Sequence, residues 1–324
     1  PAALHVLGGQ ALRNFVCGLL VRGTIRLGPR DITKAKTIRI NVAEDNGVYN
    51  MQSYDIAPDY TWEIRIHMFE TGPDRRLRLS SLLKLQQEVG ELQFAAGGLG
   101  YNELSRHGMA FLLTRTRSRI HQAPQMGETV FLRTWHRDSK GAQFYRCYQF
   151  LDSEGRSLID SVTAFALVDV HSHKLLRPTV FGEFGLHEQP ERQSACPDPV
   201  KWRLPDGLLP AGERTVRWSC IDANGHLNNA VYADIACDAL PGGMAGRRVT
   251  EFSIAFVHEA VEGETLQLRA GVAPAAGCAQ GGASSEEAPC WVAGDLPDGR
   301  RCFEAQLFLA PETGAAAGPA GPNG

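Results

Sequence analysis

The run Trp218-Ser-Cys-Ile-Asp222-Ala-Asn224-Gly225-His226-Leu-Asn228-Asn229-Ala-Val-Tyr232 sets a carboxylate, a carboxamide and an imidazole at alternate positions, just ahead of a helical pattern. In extended chain, residues two apart point to the same side, so Asp222, Asn224 and His226 are expected to share one face. Gly225 lets the chain bend there, and a following helix would present unpaired N–H groups and its positive dipole end. Such a group suits attack on a carbonyl. The imidazole takes a proton near neutral pH, the amide N–H holds the carbonyl oxygen, and backbone donors stabilise developing charge. The same residues have plainer uses, since Asp-x-Asn-Gly forms Asx turns and Asn228 or Asn229 can cap a helix.

The elements that must hold this loop come in two copies. His121-Gln-Ala-Pro-Gln-Met-Gly127-Glu-Thr-Val130 reappears as His258-Glu-Ala-Val-Glu-Gly263-Glu-Thr-Leu266, with one residue fewer before the glycine. Asp152-Ser-Glu-Gly155-Arg156 is echoed by Asp298-Gly299-Arg300, each ahead of an apolar run. These read as turns between long strands. Upstream of each strand set lies one helix. In the first, Leu79, Leu82, Leu83, Gln86, Val89 and Leu92 keep the 3.6-residue period, with Ser80 or Ser81 near the start and Gly97-Gly98 as the stop. In the second, Tyr232, Ile235, Ala236, Ala239 and Leu240 do the same, ended by Pro241-Gly242-Gly243. A largely apolar helix enclosed by a curved antiparallel sheet buries both surfaces. The fold class expected is therefore α+β, with two tandem hotdog units, each a curved antiparallel sheet wrapped around one helix.

The expected boundaries are a leader over 1–57, an N-terminal unit over 58–181, a proline-rich linker over 182–212, a C-terminal unit over 213–311 carrying the loop, and an Ala/Gly/Pro tail over 312–324. Residues 271–290 read as a low-complexity hairpin insertion. A chain of 324 residues, 43% hydrophobic and 21% charged, is long enough for two globular units. Its net charge of −3 gives no general pull toward nucleic acid. No apolar run reaches the roughly 18 residues of a membrane span. Eight cysteines without a CxxC pair or a zinc-like cluster point to reduced thiols and no metal. Residues 1–50 are basic, with seven Lys/Arg against three acids, yet contain no serine. The expected location is cytoplasmic, or a plastid or other organelle if this stretch is a transit segment.

At the DxNxHxNN loop (Asp222, Asn224, His226, Asn228, Asn229) and at Phe256-Val-His258-Glu259-Ala260, the chain resembles the acyl-ACP thioesterases of plants and bacteria, which are tandem hotdog proteins. The likeness covers about residues 58 to 310, more loosely at Ile64 to Glu70 and Gln86 to Glu88. It implies hydrolysis of a fatty acyl thioester on acyl carrier protein (ACP), with Asp222, Asn224, His226 and Glu259 as the catalytic group. The nucleophile would be water, or Asp222 through an anhydride. No cofactor is implied. Plant members carry a cysteine after the glutamate; Ala260 stands there instead, which excludes a Cys/His scheme at that spot, and Cys220 reads as core packing. Substrate contacts are expected at Asn228 and Asn229, with Leu82, Leu83, Val89 and Leu92 (beside Phe94) as the acyl lining. An acidic carrier protein calls for a basic patch, either Arg115, Arg117 and Arg119 or Arg75, Arg76 and Arg78. A homodimer stays open, as do acyl-CoA hydrolysis, a non-catalytic acyl-binding role and the chain-length preference.

Overall fold

The computed structural model describes residues 54–172, 174–182, 184–273 and 288–312. The leader (apart from residues 54–57), most of the 271–290 insertion and the tail beyond Glu312 lie outside the described residues. Eleven antiparallel strands form one sheet. They are β1 (Asp59–Arg65), β2 (Met109–Ile120), β3 (Thr129–Lys140), β4 (Gln143–Leu151), β5 (Ser157–Asp169), β6 (Leu175–Leu176), β7 (Leu209–Thr215), β8 (Arg247–Phe256), β9 (Thr265–Val272), β10 (Cys290–Asp295) and β11 (Arg301–Pro311). Their order is β1-β3-β4-β5-β2-β8-β11-β10-β9-β7, with β6 beside β5. Read outward from the middle, the two halves match strand for strand. The expected pair of hotdog units is therefore present, joined edge to edge.

The joint is the antiparallel pair β2 and β8, from Arg115 opposite Ala255 to Arg119 opposite Glu251. Equivalent strands pairing antiparallel place a local two-fold axis through the seam, which removes the open sheet edge each unit would otherwise expose. Arg117 and Arg119 both reach Glu251 there, Arg117 Nη2 at 2.5 Å and Arg119 Nε at 3.3 Å. Arg115 is half-buried on the same strand. The alternation thus places two of the three arginines in an ion-pair cluster with Glu251 across the seam.

Each unit wraps a helix. In the first it is α1 (Leu79–Ala96), followed by the short α2 (Tyr101–Arg106); α3 (Pro178–Gly182) opens the connection, and the second unit holds α4 (Val231–Asp238). α1 buries Leu82, Leu83, Gln86, Val89 and Gln93 against its sheet. Ser80 and Ser81 are buried inside the first turn instead of capping it; Arg78 holds the cap position without a side-chain bond. Gly97 ends the helix, and a Cβ there would come within 2.8 Å of the Asp55 carbonyl oxygen. One core cluster runs through both units, joining Leu82, Leu83 and Val89 of α1 to Tyr232, Ile235 and Ala236 of α4. At about 25 cal/mol per Å2, burial of apolar surface in this shared cluster favours keeping the halves together.

The proline-rich connection is not slack. Arg192 stacks on Trp135 at 4.1 Å and its carbonyl accepts the Trp135 indole N–H, while Arg137 of β3 pairs with Asp198. The segment is strapped over the outer face of the first unit.

Candidate active site

The loop between β7 and α4 is built from the chain outward. A single 3-10 turn, Trp218–Cys220, leads into it, and Ile221 bridges Leu227 at its base. Between them the Asp222 N–H donates to the His226 carbonyl at 2.9 Å and the Gly225 N–H to the Asp222 carbonyl at 3.0 Å. Gly225 takes φ +82°, a conformation that side-chain-bearing residues reach only at a cost. The segment is therefore a closed turn, not the extended strand assumed from the i, i+2, i+4 spacing. Asp222 Oδ1 accepts the N–H of Asn224 at 2.8 Å and of His226 at 3.4 Å, so its carboxylate fixes the turn from inside. This is the Asx geometry that the Asp-x-Asn-Gly string allows.

Asn228 closes the far side. Its N–H donates to the Cys220 carbonyl at 2.9 Å and its Oδ1 accepts the Ala230 N–H at 2.9 Å. The helix starts only at Val231 with Ala230 at the cap position, so neither Asn228 nor Asn229 is its cap residue. Cys220 is half-buried against the core, and Ala260 is fully buried.

A second segment completes the group. The Leu227 N–H donates to the Ala260 carbonyl at 2.7 Å, which docks the 258–263 turn against the loop. Glu259 then meets His226, with Oε2 3.2 Å from Nε2. The imidazole is mostly enclosed while the carboxylate stays half-exposed. From the first unit, Tyr101 donates its hydroxyl to Asn224 Oδ1 at 2.6 Å. No local sequence signal marked Tyr101, because the contact joins residues 123 positions apart.

The first unit carries the same turn in other residues. Gly72 N–H donates to the Arg76 carbonyl at 2.9 Å, Arg75 N–H to the Gly72 carbonyl at 2.9 Å, and Leu77 N–H to the Pro124 carbonyl at 2.9 Å. Arg75 stands at φ +62° where the second unit has Gly225. Matched bond for bond, Gly72 corresponds to Asp222, Asp74 to Asn224, Arg76 to His226 and Ala123 to Glu259. The first copy thus keeps the backbone of the loop without its Asn, His and Glu side chains. His121 and His258 are not equivalents either: counted back from the shared glycine turn, Gln122 matches His258, and His121 instead holds the buried Asp160 at 3.0 Å.

Sequence models of the acyl-ACP thioesterase N-terminal domain and C-terminal domain match residues 58–179 and 211–284. The chain belongs to the acyl-ACP thioesterase family. A chloroplastic dodecanoyl-[acyl-carrier-protein] hydrolase of Cinnamomum camphora is 21% identical across 62% of this chain. The match spans 56% of that relative's length. Among solved structures, an acyl-ACP thioesterase of Bacteroides thetaiotaomicron superimposes with a TM-score of 0.66 at 17% identity, covering 78% of this chain and 98% of its own. The 12:0-ACP thioesterase of Umbellularia californica gives 0.62 at 20% identity, covering 78% and 94%. Within this family fold, the two turns share a backbone and differ in what they display: the C-terminal one has Asn224, His226 and Glu259, whereas the matched N-terminal positions hold Asp74, Arg76 and Ala123.

The other expected contacts fall in two places. Leu82, Leu83 and Val89 are buried in the shared core and Leu92 is half-buried. The space under α1 is also partly polar. Gln86 Nε2 donates to Ser161, Ser161 to Ser118, and the buried Arg146 donates to Gln93 Oε1 at 2.5 Å and Thr134 Oγ1 at 3.0 Å and meets His136 Nε2 at 2.5 Å. Burial, then the Arg146 charge, hold the His136 imidazole well below its ordinary pKa. Arg75 and Arg78 are exposed, and Arg76 pairs with Glu312 at 3.1 Å. They stand at the start of α1, roughly 20 Å along the helix from Glu91, whose carboxylate holds Tyr101. No helix among the described residues is long and apolar enough to cross a membrane, and none of their His, Cys, Asp and Glu groups forms a metal-binding cluster.

Proposed function

We propose that this protein hydrolyses the thioester between a fatty acyl chain and ACP, releasing free fatty acid and the carrier's thiol, as part of fatty acid biosynthesis. The observation that carries the reading is the His226–Glu259 contact, on the same turn as Asn224, in a family member whose N-terminal turn carries none of these three residues. With Nε2 donating to Glu259, the His226 lone pair lies on Nδ1, and Glu259 stabilises the imidazolium that forms. A water gives a proton to Nδ1 and its oxygen bonds to the carbonyl carbon. The Asn224 N–H donates to the oxygen as charge develops on it. The intermediate collapses by breaking the C–S bond, and the imidazolium returns the proton to sulfur. Asp222 already accepts two backbone N–H groups, which favours water over an anhydride route and makes this carboxylate the strut of the turn. Thioesters are weakly resonance-stabilised, so positioning and electrostatics supply the catalysis without a cofactor.

Leu82, Leu83, Val89 and Leu92 are the acyl-facing candidates, Asn228 and Asn229 flank the thioester, and Arg75 and Arg78 offer the exposed basic pair for an acidic carrier. The test is a panel of acyl-ACPs and the matching acyl-CoAs, with released fatty acid measured. Higher kcat/KM on the carrier-bound chains is expected. Preference for CoA esters would transfer the assignment to acyl-CoA hydrolysis, and no release from either would leave an acyl-binding protein.

A further inference from the structure

Asn224 sits on an exposed turn, and an amide there has two orientations with little between them, only one of which presents N–H to a substrate. What selects the orientation comes from the other unit. Tyr101 opens α2, and its hydroxyl meets Asn224 Oδ1 at 2.6 Å. The backbone that carries the phenol is anchored: the Tyr101 N–H donates to Glu91 Oε1 at 2.8 Å, and Gly100 packs so closely that a Cβ would lie 2.9 Å from that carboxylate oxygen. A phenol O–H donating to the amide oxygen turns the amide nitrogen the opposite way, where it is free to donate. Burial, then the charges of Asp222 and Glu91, raise the Tyr101 pKa, so the proton stays on the phenol.

The placement also breaks the internal symmetry. The first unit has α2 between its central helix and its first long strand; the second unit has only turns there, between Asp238 and Arg247. The additional helix meets the one turn that carries the chemistry. In the N-terminal turn, Asp74 Oδ1 instead accepts the Arg76 N–H at 3.1 Å.

We infer that Tyr101 is a positioning residue for the thioesterase reaction, fixing the Asn224 amide so that its nitrogen faces the thioester carbonyl, and that the N-terminal unit thereby completes the C-terminal unit's active site. The inference rests on the reading of Asn224 as the carbonyl-oxygen donor. It is tested by steady-state hydrolysis of the best acyl-ACP substrate with Tyr101→Phe, Tyr101→Ala and Asn224→Ala, alongside thermal unfolding. Loss of one orienting hydrogen bond should lower kcat about tenfold in Tyr101→Phe, with KM and Tm unchanged. Tyr101→Ala should fall no further in kcat, because the hydroxyl and not the ring carries the effect. Tyr101→Phe at the wild-type rate while Asn224→Ala is impaired would overturn this inference alone. Asn224→Ala at the wild-type rate would overturn the reading of the site and this inference with it.

Discussion

At the residue scale, the chemistry depends on which side chains are committed to structure and which are left for substrate. Asp222 has its Oδ1 on two backbone N–H groups and Asn228 has its Oδ1 on another, so both mainly shape the turn. His226 and Glu259 bond to each other, and that pair is half open to water. A pair so exposed contributes at most about 1 kcal/mol to stability. Glu259→Gln is therefore expected to leave the denaturation midpoint nearly unchanged while lowering kcat/KM by about 100-fold, the usual scale for impairing one member of an acid–base pair. Matched stability and activity losses would instead make Glu259 a structural residue. The types and order of these side chains were plain in the sequence, since DxNxHxNN and the later His-Glu-Ala stand as continuous strings. Their geometry was not, because a turn closed by the Asp222 N–H and Gly225 defeats the extended-chain argument. Tyr101 was invisible for another reason: a contact across two units leaves no local pattern.

At the element scale, two turns with the same hydrogen bonds show how far backbone can be conserved while side chains change. The first unit places Arg75 in the left-handed region where the second places Gly225. A side chain there costs about 1–2 kcal/mol, partly offset by the extra unfolded-state freedom of glycine. Arg75→Gly is expected to raise unfolding free energy by about 0.5–1 kcal/mol in urea titrations, whereas a loss of stability would mean the arginine side chain holds the turn. Under α1, His136 is held neutral by burial and by Arg146. The unfolded imidazole protonates near its ordinary 6.5, so this group's contribution is complete above that pH and declines as pH falls below it, by up to about 1.4 kcal/mol per pH unit. Measured between pH 7 and 5, stability should fall less steeply in His136→Gln, whose amide oxygen still serves Arg146. Parallel slopes would place the titrating group elsewhere. The helices were legible from their 3.6-residue period, and the hairpins from their Gly turns. The buried Arg146 and His136 were not, because alternation tells which residues share a face but not which polar ones find partners inside.

At the scale of the whole molecule, two matched units give a continuous sheet and a shared core, and only one of their two equivalent turns carries the Asn, His and Glu side chains. The repeat itself was readable from Gly-Glu-Thr and Asp/Glu-Gly-Arg strings. The seam was not, and so the pairing of Arg117 and Arg119 with Glu251 across it had no signal in the sequence. The central claim is that a single turn, the C-terminal one, does the chemistry, and the matched residues Asn224 and Asp74 test it directly. Under saturating acyl-ACP, Asn224→Ala should lower the rate of fatty acid release by on the order of 100- to 1,000-fold, and Asp74→Ala should leave it within about twofold of wild type. Equal losses in the two variants, or none in Asn224→Ala, would contradict the account.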